Sequence, residues 1–255
     1  MSSALLSLRG VKWRSRRLVS KARERAALLY RFPIDRLKFS RSLFTYRAMA
    51  PEDRRPKFRY LQPMLHDDTA LTPIEPVYFF QDAWAFERIV KAAPTRHIDV
   101  GSHHRFVALL SKVVPVTMVD LRPLSLVMDS IDFQAGSILA LPFPDASQES
   151  VSSICVIEHI GLGRYGDDLD PMGTEKALAE LKRVVRPGGD LYLSVPLDDA
   201  TRTYFNAHRA YAESDLLEMF KPFEVVDRKY IFGTQFQDQP TPGFGTGCYH
   251  LRRPF

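Results

Sequence analysis

The chain has 255 residues, 45% of them hydrophobic, and a formal net charge of +5. That length holds one α/β domain of about 150 to 200 residues with an appendage, and the apolar content suffices for a real core. No apolar run approaches the ~18 residues of a membrane-spanning helix, and the two isolated cysteines, Cys155 and Cys248, exclude a disulfide framework and suit a reducing, cytoplasmic compartment.

The charge is split along the chain. Residues 1–59 carry 17 Lys and Arg against 4 acids, a net of +13, and residues 60–255 carry 18 against 26, a net of −8. Residues 1–32 read as a basic, helical arm with no acid before Glu24. Val11, Leu18, Ala22, Ala26 and Leu29 form a rough apolar stripe, and Trp13 suits an interface. Three readings stay open: a solvated arm, an amphipathic helix on an anionic membrane surface, which would make the protein membrane-peripheral, and a mitochondrial transit peptide. No nucleic-acid-binding motif accompanies the charge, so nucleic acid is not an expected partner.

Residues 33–76 contain Pro33, Pro51, Pro56, Pro63, Pro73 and Pro76. They are expected to be an irregular connector that wraps the domain. Over 78–93, Phe79, Ala83, Phe86, Ile89 and Val90 recur at helical spacing and Pro94 follows. The domain proper is expected over 77–255. Strands are predicted near 96–100, 115–120, 132–135 and 151–157, with a helix near 105–113. A helix over 174–186 ends at Pro187-Gly188-Gly189, and the strand DLYLSV follows. A helix near 213–219 and strands near 223–232 and 246–252 complete the pattern, with the Gly/Pro-rich 233–247 as a hairpin connector. Alternating strand and helix predicts an α/β, doubly wound, mostly parallel seven-stranded sheet. Ligands of such folds bind at the carboxyl ends of the strands, near the switch point.

Asp99 and Gly101 close the first strand (HIDVGS), and Gly101 permits a close backbone approach. Asp120 ends the next strand, about twenty residues on, where an acid accepts hydrogen bonds from a ribose diol. The plainer reading of both acids is a solvated strand end. Gly136, Ser137 and Ile138 form a third loop, for which the plainer reading is an ordinary turn. Glu158 and His159 follow the fourth strand, and Asn206 and His208 follow the fifth, on the same rim. A histidine there has a pKa suited to general-base work, and the plainer reading is a structural hydrogen bond. His103, His104, His159 and His208 have no metal-ligand spacing, so no metal is expected. There is no nucleophile elbow and no dinucleotide fingerprint.

The segments DVGS, Asp120, LPFPD, IEHI and ELKRVVRPGG resemble the class I S-adenosylmethionine-dependent methyltransferases of type 11, over about 95–197. More narrowly, YFFQDAWA, HIDVGS with FVALLS, VDLRPL and the unusual IEHIGLGRYGDDLDP resemble an uncharacterised branch catalogued as a domain of unknown function, some of whose members sit in surface-polysaccharide gene sets. The resemblance implies a Rossmann-like methyltransferase fold and S-adenosylmethionine as cofactor. It implies cofactor contacts from Asp99, Gly101, Ser102, Asp120, Leu121, Ser137, Ile138 and Ile157. Glu158, His159 and His208 would be catalytic, and Arg164, Tyr165 and Asn206 would face a small-molecule or glycan hydroxyl. The family's second and third glycines are replaced here by His103 and Arg105, and Ser137 stands where many members carry an acid. Those departures keep open a repurposed, non-catalytic relative that binds an anionic ligand such as a nucleotide sugar, and a scaffold.

Overall fold

The computed structural model describes residues 32–255, so the basic arm and the apolar stripe expected within it lie outside the described residues but for Phe32. The chain divides into two compact units, one ending at Pro73 and the other spanning Ile74–Phe255.

In the first unit, residues 32–49 form helix α1. This corrects the expectation of irregular chain from Pro33 onward. No proline or glycine lies from Ile34 to Ala50, so nothing interrupts the helical hydrogen-bond ladder before Pro51. Beyond it the prolines act as expected, leaving only single 3-10 turns at Glu52–Arg54 and Phe58–Tyr60.

The second unit opens with α2 (Pro76–Ala92), which has proline at its first position. The Glu75 carboxylate caps it by accepting from the Tyr78 N–H at 2.7 Å, and Ala93 ends it in the left-handed region. Then come β1 (His97–Val100), α3 (His104–Leu110), β2 (Val116–Asp120), β3 (Ile131–Ala135), β4 (Gln148–Ile154), α4 (Gly173–Val184) and β5 (Val185–Leu197). A small hairpin, β6 (Arg202–Tyr204) and β7 (His208–Ala210), precedes α5 (Glu213–Phe220), β8 (Glu224–Phe232), β9 (Gln235–Gln237) and β10 (Gly245–Arg252).

The main sheet has the order β3-β2-β1-β4-β5-β10-β8-β9. The first five strands are parallel and the last three antiparallel. It has eight strands rather than seven, because residues 235–237 of the hairpin connector pair back onto β8. The fourth strand is shorter at its carboxyl end than the apolar run VSSICVI suggested, and Ile157–His159 is a 3-10 turn.

Strand side chains alternate between the two faces. On one face Ile98, Val100, Val151 and Leu193 pack with Leu178 and Leu181 of α4 and Phe220 of α5. On the other, Met118, Ile154 and Cys248 pack with Trp84 and Ile89 of α2 and Phe106 of α3. The order reverses between β1 and β4, which places the switch point at their carboxyl ends. Truncating the fully buried Leu181 to alanine is expected to cost about 2–5 kcal/mol in urea denaturation. Leu37→Ala in α1, where the side chain is 72% exposed, is expected to stay within about 0.5 kcal/mol.

Candidate active site at the switch point

Three of the predicted loops meet at the carboxyl edge of the sheet. The Gly101 N–H donates to the Val119 carbonyl at 2.9 Å, and the Gly136 N–H donates to the Asp120 carbonyl at 3.1 Å. The turns after β1, β2 and β3 are therefore tied side by side. Gly101 has φ +72°, and a Cβ there would stand 3.1 Å from Val156 Cγ1. Both facts favour glycine, and together they hold the backbone open at the edge. The Asp120 carboxylate accepts from the Arg122 N–H at 2.8 Å and stays partly exposed.

The other residues expected at the cofactor divide into two groups. Leu121 is half-exposed beside Asp120, and the Ser137 hydroxyl accepts from the Leu139 N–H at 3.1 Å, closing its own turn. Asp99, Ser102, Ile138 and Ile157 are buried. Ile138 and Ile157 belong to the core on the α4 side. Ser102 is engaged at both its N–H and its hydroxyl. Its N–H donates to Asp99 Oδ1 at 3.1 Å, and its Oγ accepts from the Ile154 N–H at 2.9 Å.

Asp99 ends a buried polar chain. Ser152 Oγ donates to Asp99 Oδ2 at 2.6 Å, so its single hydrogen is used. The same Oγ lies 2.8 Å from His97 Nε2 and must accept there. That fixes the His97 proton on Nε2, so Nδ1 accepts from the Ser150 hydroxyl at 2.7 Å. Burial agrees with this neutral ring, since it lowers the His97 pKa to about 3 and raises that of Asp99 to about 6.

Beyond β4 the chain turns through Cys155, whose φ of +53° is a strained conformation for a residue with a side chain. Its thiol donates to Gln81 Oε1 of α2 at 3.1 Å, and the Ser194 hydroxyl donates to the same oxygen at 2.8 Å. Burial pushes the thiol pKa well above its ordinary value, so it is no thiolate nucleophile. Glu158 is almost wholly buried, and burial raises its pKa to about 8. Its Oε2 and the Gln81 Nε2 have no hydrogen-bond partner among the described residues.

His159 stands next to it. Its Nδ1 donates to the Ala207 carbonyl at 2.7 Å, which leaves Nε2 as the acceptor nitrogen, 3.5 Å from Glu158 Oε1. Burial, opposed by the Ala207 hydrogen bond, lowers its pKa to about 4. His208 lies in an aromatic nook with its ring centroid 5.2 Å from that of Tyr204 and 5.4 Å from that of Phe244. Asn206 is exposed at the β6–β7 turn.

The glycine-rich loop forms a built cap. A Cβ at Gly161 (φ +79°) would fall against the Asp170 carbonyl oxygen, so the loop's neck closes only with glycine there. The Gly161 N–H donates to Asp167 Oδ2 at 2.6 Å, and the Asp170 N–H donates to the Gly161 carbonyl at 2.9 Å. Arg209, buried in β7, donates to the carbonyls of Ile160 (2.5 Å), Asp170 (2.9 Å) and Pro171 (3.3 Å). The cap displays Arg164 and Tyr165. Arg164 donates to the Ala207 carbonyl at 2.8 Å, and the guanidinium groups of Arg122 and Arg164 lie 4.7 and 5.0 Å from the Tyr165 ring centroid. Arg105 is exposed on α3, and His103 packs against Tyr78 with ring centroids 5.4 Å apart.

Sequence reasoning missed Tyr78, Gln81, Arg122 and Arg209. Tyr78 reaches the rim, where burial first, then Cys155, Tyr165 and Glu158, raise its pKa. The signal for Gln81 was a polar residue inside the otherwise apolar YFFQDAWA face. For Arg209 it was a cation beside the apolar Ala210-Tyr211 pair.

The order of five parallel strands followed by an antiparallel pair, with helices on both faces, is the Rossmann-like fold of the class I methyltransferases. The chain is similar to a Burkholderia thailandensis 1,6-didemethyltoxoflavin-N1-methyltransferase, solved with 1,6-didemethyltoxoflavin and S-adenosylhomocysteine. The identity is 20%, the match covers 70% of this chain and 81% of that one, and the TM-score is 0.52. It is also similar to the N-methyltransferase NodS from Bradyrhizobium japonicum, at 15% identity over 74% of this chain and 99% of that one, with a TM-score of 0.51. Residues 143–236 match a family described as Caenorhabditis protein of unknown function, DUF268. No curated protein matches the sequence.

Glu158 gives this site a stability signature. Its folded pKa of about 8 lies above the ordinary glutamate value of 4.5, so the native state binds more protons than the unfolded one between those pH values. Its contribution to stability therefore falls as pH rises through that window. Glu158→Gln is expected to gain stability over the parent by a few kcal/mol, on the order of 1.4 per pKa unit, between pH 5 and pH 8. Urea denaturation at the two pH values checks it; a constant difference would contradict the burial argument.

Proposed function

We propose that the protein transfers a methyl group from S-adenosylmethionine to a hydroxyl of a small molecule or glycan. The observation that carries the reading is the convergence of the Gly101 turn, the Asp120 carboxylate and the buried Glu158 with its unmatched Oε2 at one sheet edge. These residues fit the cofactor. Asp120 offers acceptors to a ribose diol, Gly101 admits close backbone contact, and the free Glu158 oxygen is an acceptor for a cationic or N–H-bearing group. When bound, S-adenosylmethionine supplies an electrophilic methyl on a sulfonium.

The chain's own contribution is positioning and proton handling. Holding acceptor and donor in line is worth about 7–11 kcal/mol, and a base adds about 10²- to 10⁴-fold. His159 is the base in this reading. The proton of the acceptor hydroxyl passes to Nε2, while Nδ1–H stays on the Ala207 carbonyl and keeps the ring oriented. Burial moves the ring off the near-neutral pKa expected from the sequence: a pKa near 4 keeps Nε2 unprotonated across the neutral range and makes it a weaker base. Arg164 and Tyr165, held by the cap, would face the acceptor, with His208 and the exposed Asn206 on the hairpin side. A surface-polysaccharide acceptor is the finer form of the same reading and rests on the sequence resemblance.

A second reading keeps the fold and drops the chemistry. The cations Arg122 and Arg164 flanking Tyr165 favour an anionic ligand such as a nucleotide sugar.

Calorimetry of the purified protein distinguishes them. Micromolar heats with S-adenosylmethionine and its demethylated product are expected, weakened at least about tenfold by Asp120→Ala, a loss of ~1.4 kcal/mol. Silence with both and heat with a nucleotide sugar would transfer the assignment to the second reading. With an accepted substrate in hand, His159→Gln is expected to lower kcat by about 10²- to 10⁴-fold. The acid limb of kcat/KM should lie near pH 4, not near the ordinary histidine value.

A further inference from the structure

The first unit shows a surface that the proposed chemistry does not use. From Arg36 to Arg59 the chain carries eight Lys and Arg against two acids, a net of +6. Interleaved with them, Leu37, Phe44, Met49, Phe58 and Tyr60 are each more than half exposed. Single exposed apolar residues are ordinary, but Leu37, Phe44 and Met49 fall with Lys38 and Arg41 on the outer side of α1, away from the side on which Phe39, Leu43 and Tyr46 line a groove with Pro56 and Tyr60, and such a mixed stripe marks an interaction surface.

The surface is built. Arg47 donates to the Pro56 carbonyl and lies 4.8 Å from the Phe58 ring centroid, and Arg55 Nε donates to the Ala50 carbonyl at 3.2 Å. These bonds fasten the segment after Pro51 to the end of α1. Farther up the helix, Lys38 pairs with Asp68 at 3.0 Å. Arg36, Arg41, Arg54, Lys57 and Arg59 are exposed as well.

We infer that residues 32–60 dock on an anionic lipid bilayer surface, with Leu37, Phe44 and Met49 entering the headgroup boundary and the cations meeting lipid phosphates. Charge and apolarity together select that occupant. Two copies paired through this unit would set one +6 segment against another, and a head-to-tail pair resting on the acidic residues 60–255 would float with neither kind of vesicle. A soluble polyanion would satisfy the cations and leave these large apolar side chains in water. No helix among the described residues is long and apolar enough to cross a membrane. Each basic side chain near an anionic surface contributes about a fivefold gain in partitioning.

Vesicle flotation of the full chain tests this, with vesicles of phosphatidylcholine alone and of equimolar phosphatidylcholine and phosphatidylglycerol. The parent is expected to float with the anionic vesicles only. Arg41→Glu, Lys57→Glu and Arg59→Glu together should lower partitioning by about a hundredfold or more. Phe44→Ser with Met49→Ser should lower it by about tenfold. Circular dichroism confirms that each variant is folded, and the substituted side chains are exposed ones. A parent that does not float overturns the inference. So does flotation unchanged in both variants, which would leave any binding to residues 1–31. Loss on charge reversal with no effect of the serine pair would make the surface a polyanion site and overturn it as well. Cofactor calorimetry reads residues beyond Ile74, so either proposal can fail without the other.

Discussion

The site depends on keeping the Asp99 carboxyl buried at the end of β1. An ionised group out of water is costly unless donors surround it. Here the donors are neutral: the Ser152 hydroxyl and the Ser102 N–H. Their hydrogen bonds do not cancel burial, which still lifts the pKa to about 6. They do fix geometry. Ser102 is locked between β1 and β4, and Gly101 must then turn where it does. His97 and Ser150 extend the same chain back along the sheet, so the polar residues of two adjacent strands act as one unit under α2. Replacing any one member would orphan its neighbours, which is why such networks are worth more than their single bonds.

The same cause acts with opposite sign on Glu158 and His159. Burial drives the acid's pKa up to about 8 and the base's down to about 4. At neutral pH both side chains are neutral, so the inner wall holds hydrogen-bonding capacity with little charge. The cations sit outside it, on Arg122 and Arg164 at the rim. A neutral interior with a cationic rim suits a reaction in which a positively charged donor must be tolerated inside and an acceptor is met at the mouth. Pairs of titratable groups pushed apart in this way are a mark of acid–base sites.

Much of the fold was legible. Strand and helix alternation and the glycine at the first turn are local signals, and most elements appear close to their expected places; α4 ends two residues early, at Val184, and Pro187-Gly188-Gly189 falls inside β5 instead of stopping the helix. What failed was non-local or masked by a stronger cue. Six prolines suggested a connector, yet the break-free stretch between Pro33 and Pro51 is long enough for α1. β6 and β7 are three residues each and show no period. At the site, residue types told which side chains could act, but not which would be consumed by the scaffold. Ser102 has both its groups engaged, and Ile138 and Ile157 fill the core. Gln81 and Arg209 come from elements distant in sequence, and only tertiary contact reveals them.

The glycine-rich loop, with three glycines in six residues from Gly161 to Gly166, would suit either a shaped wall or a lid. Its hydrogen bonds argue against large motion. The neck is closed by Gly161, Asp167, Asp170 and a buried Arg209 that donates to three carbonyls. Hydrogen bonds to a charged group are worth about 1.5–3 kcal/mol each, so opening the neck would forfeit several such terms at once. The contacts of Tyr165 with Arg122 and Arg164 are exposed cation–π pairs worth about 0.5–1 kcal/mol apiece. The cheap rearrangement is therefore of those side chains alone. Ligand entry would part Arg122 from Tyr165 while the backbone of the cap stays in place, and selectivity would reside in what those three side chains accept between them.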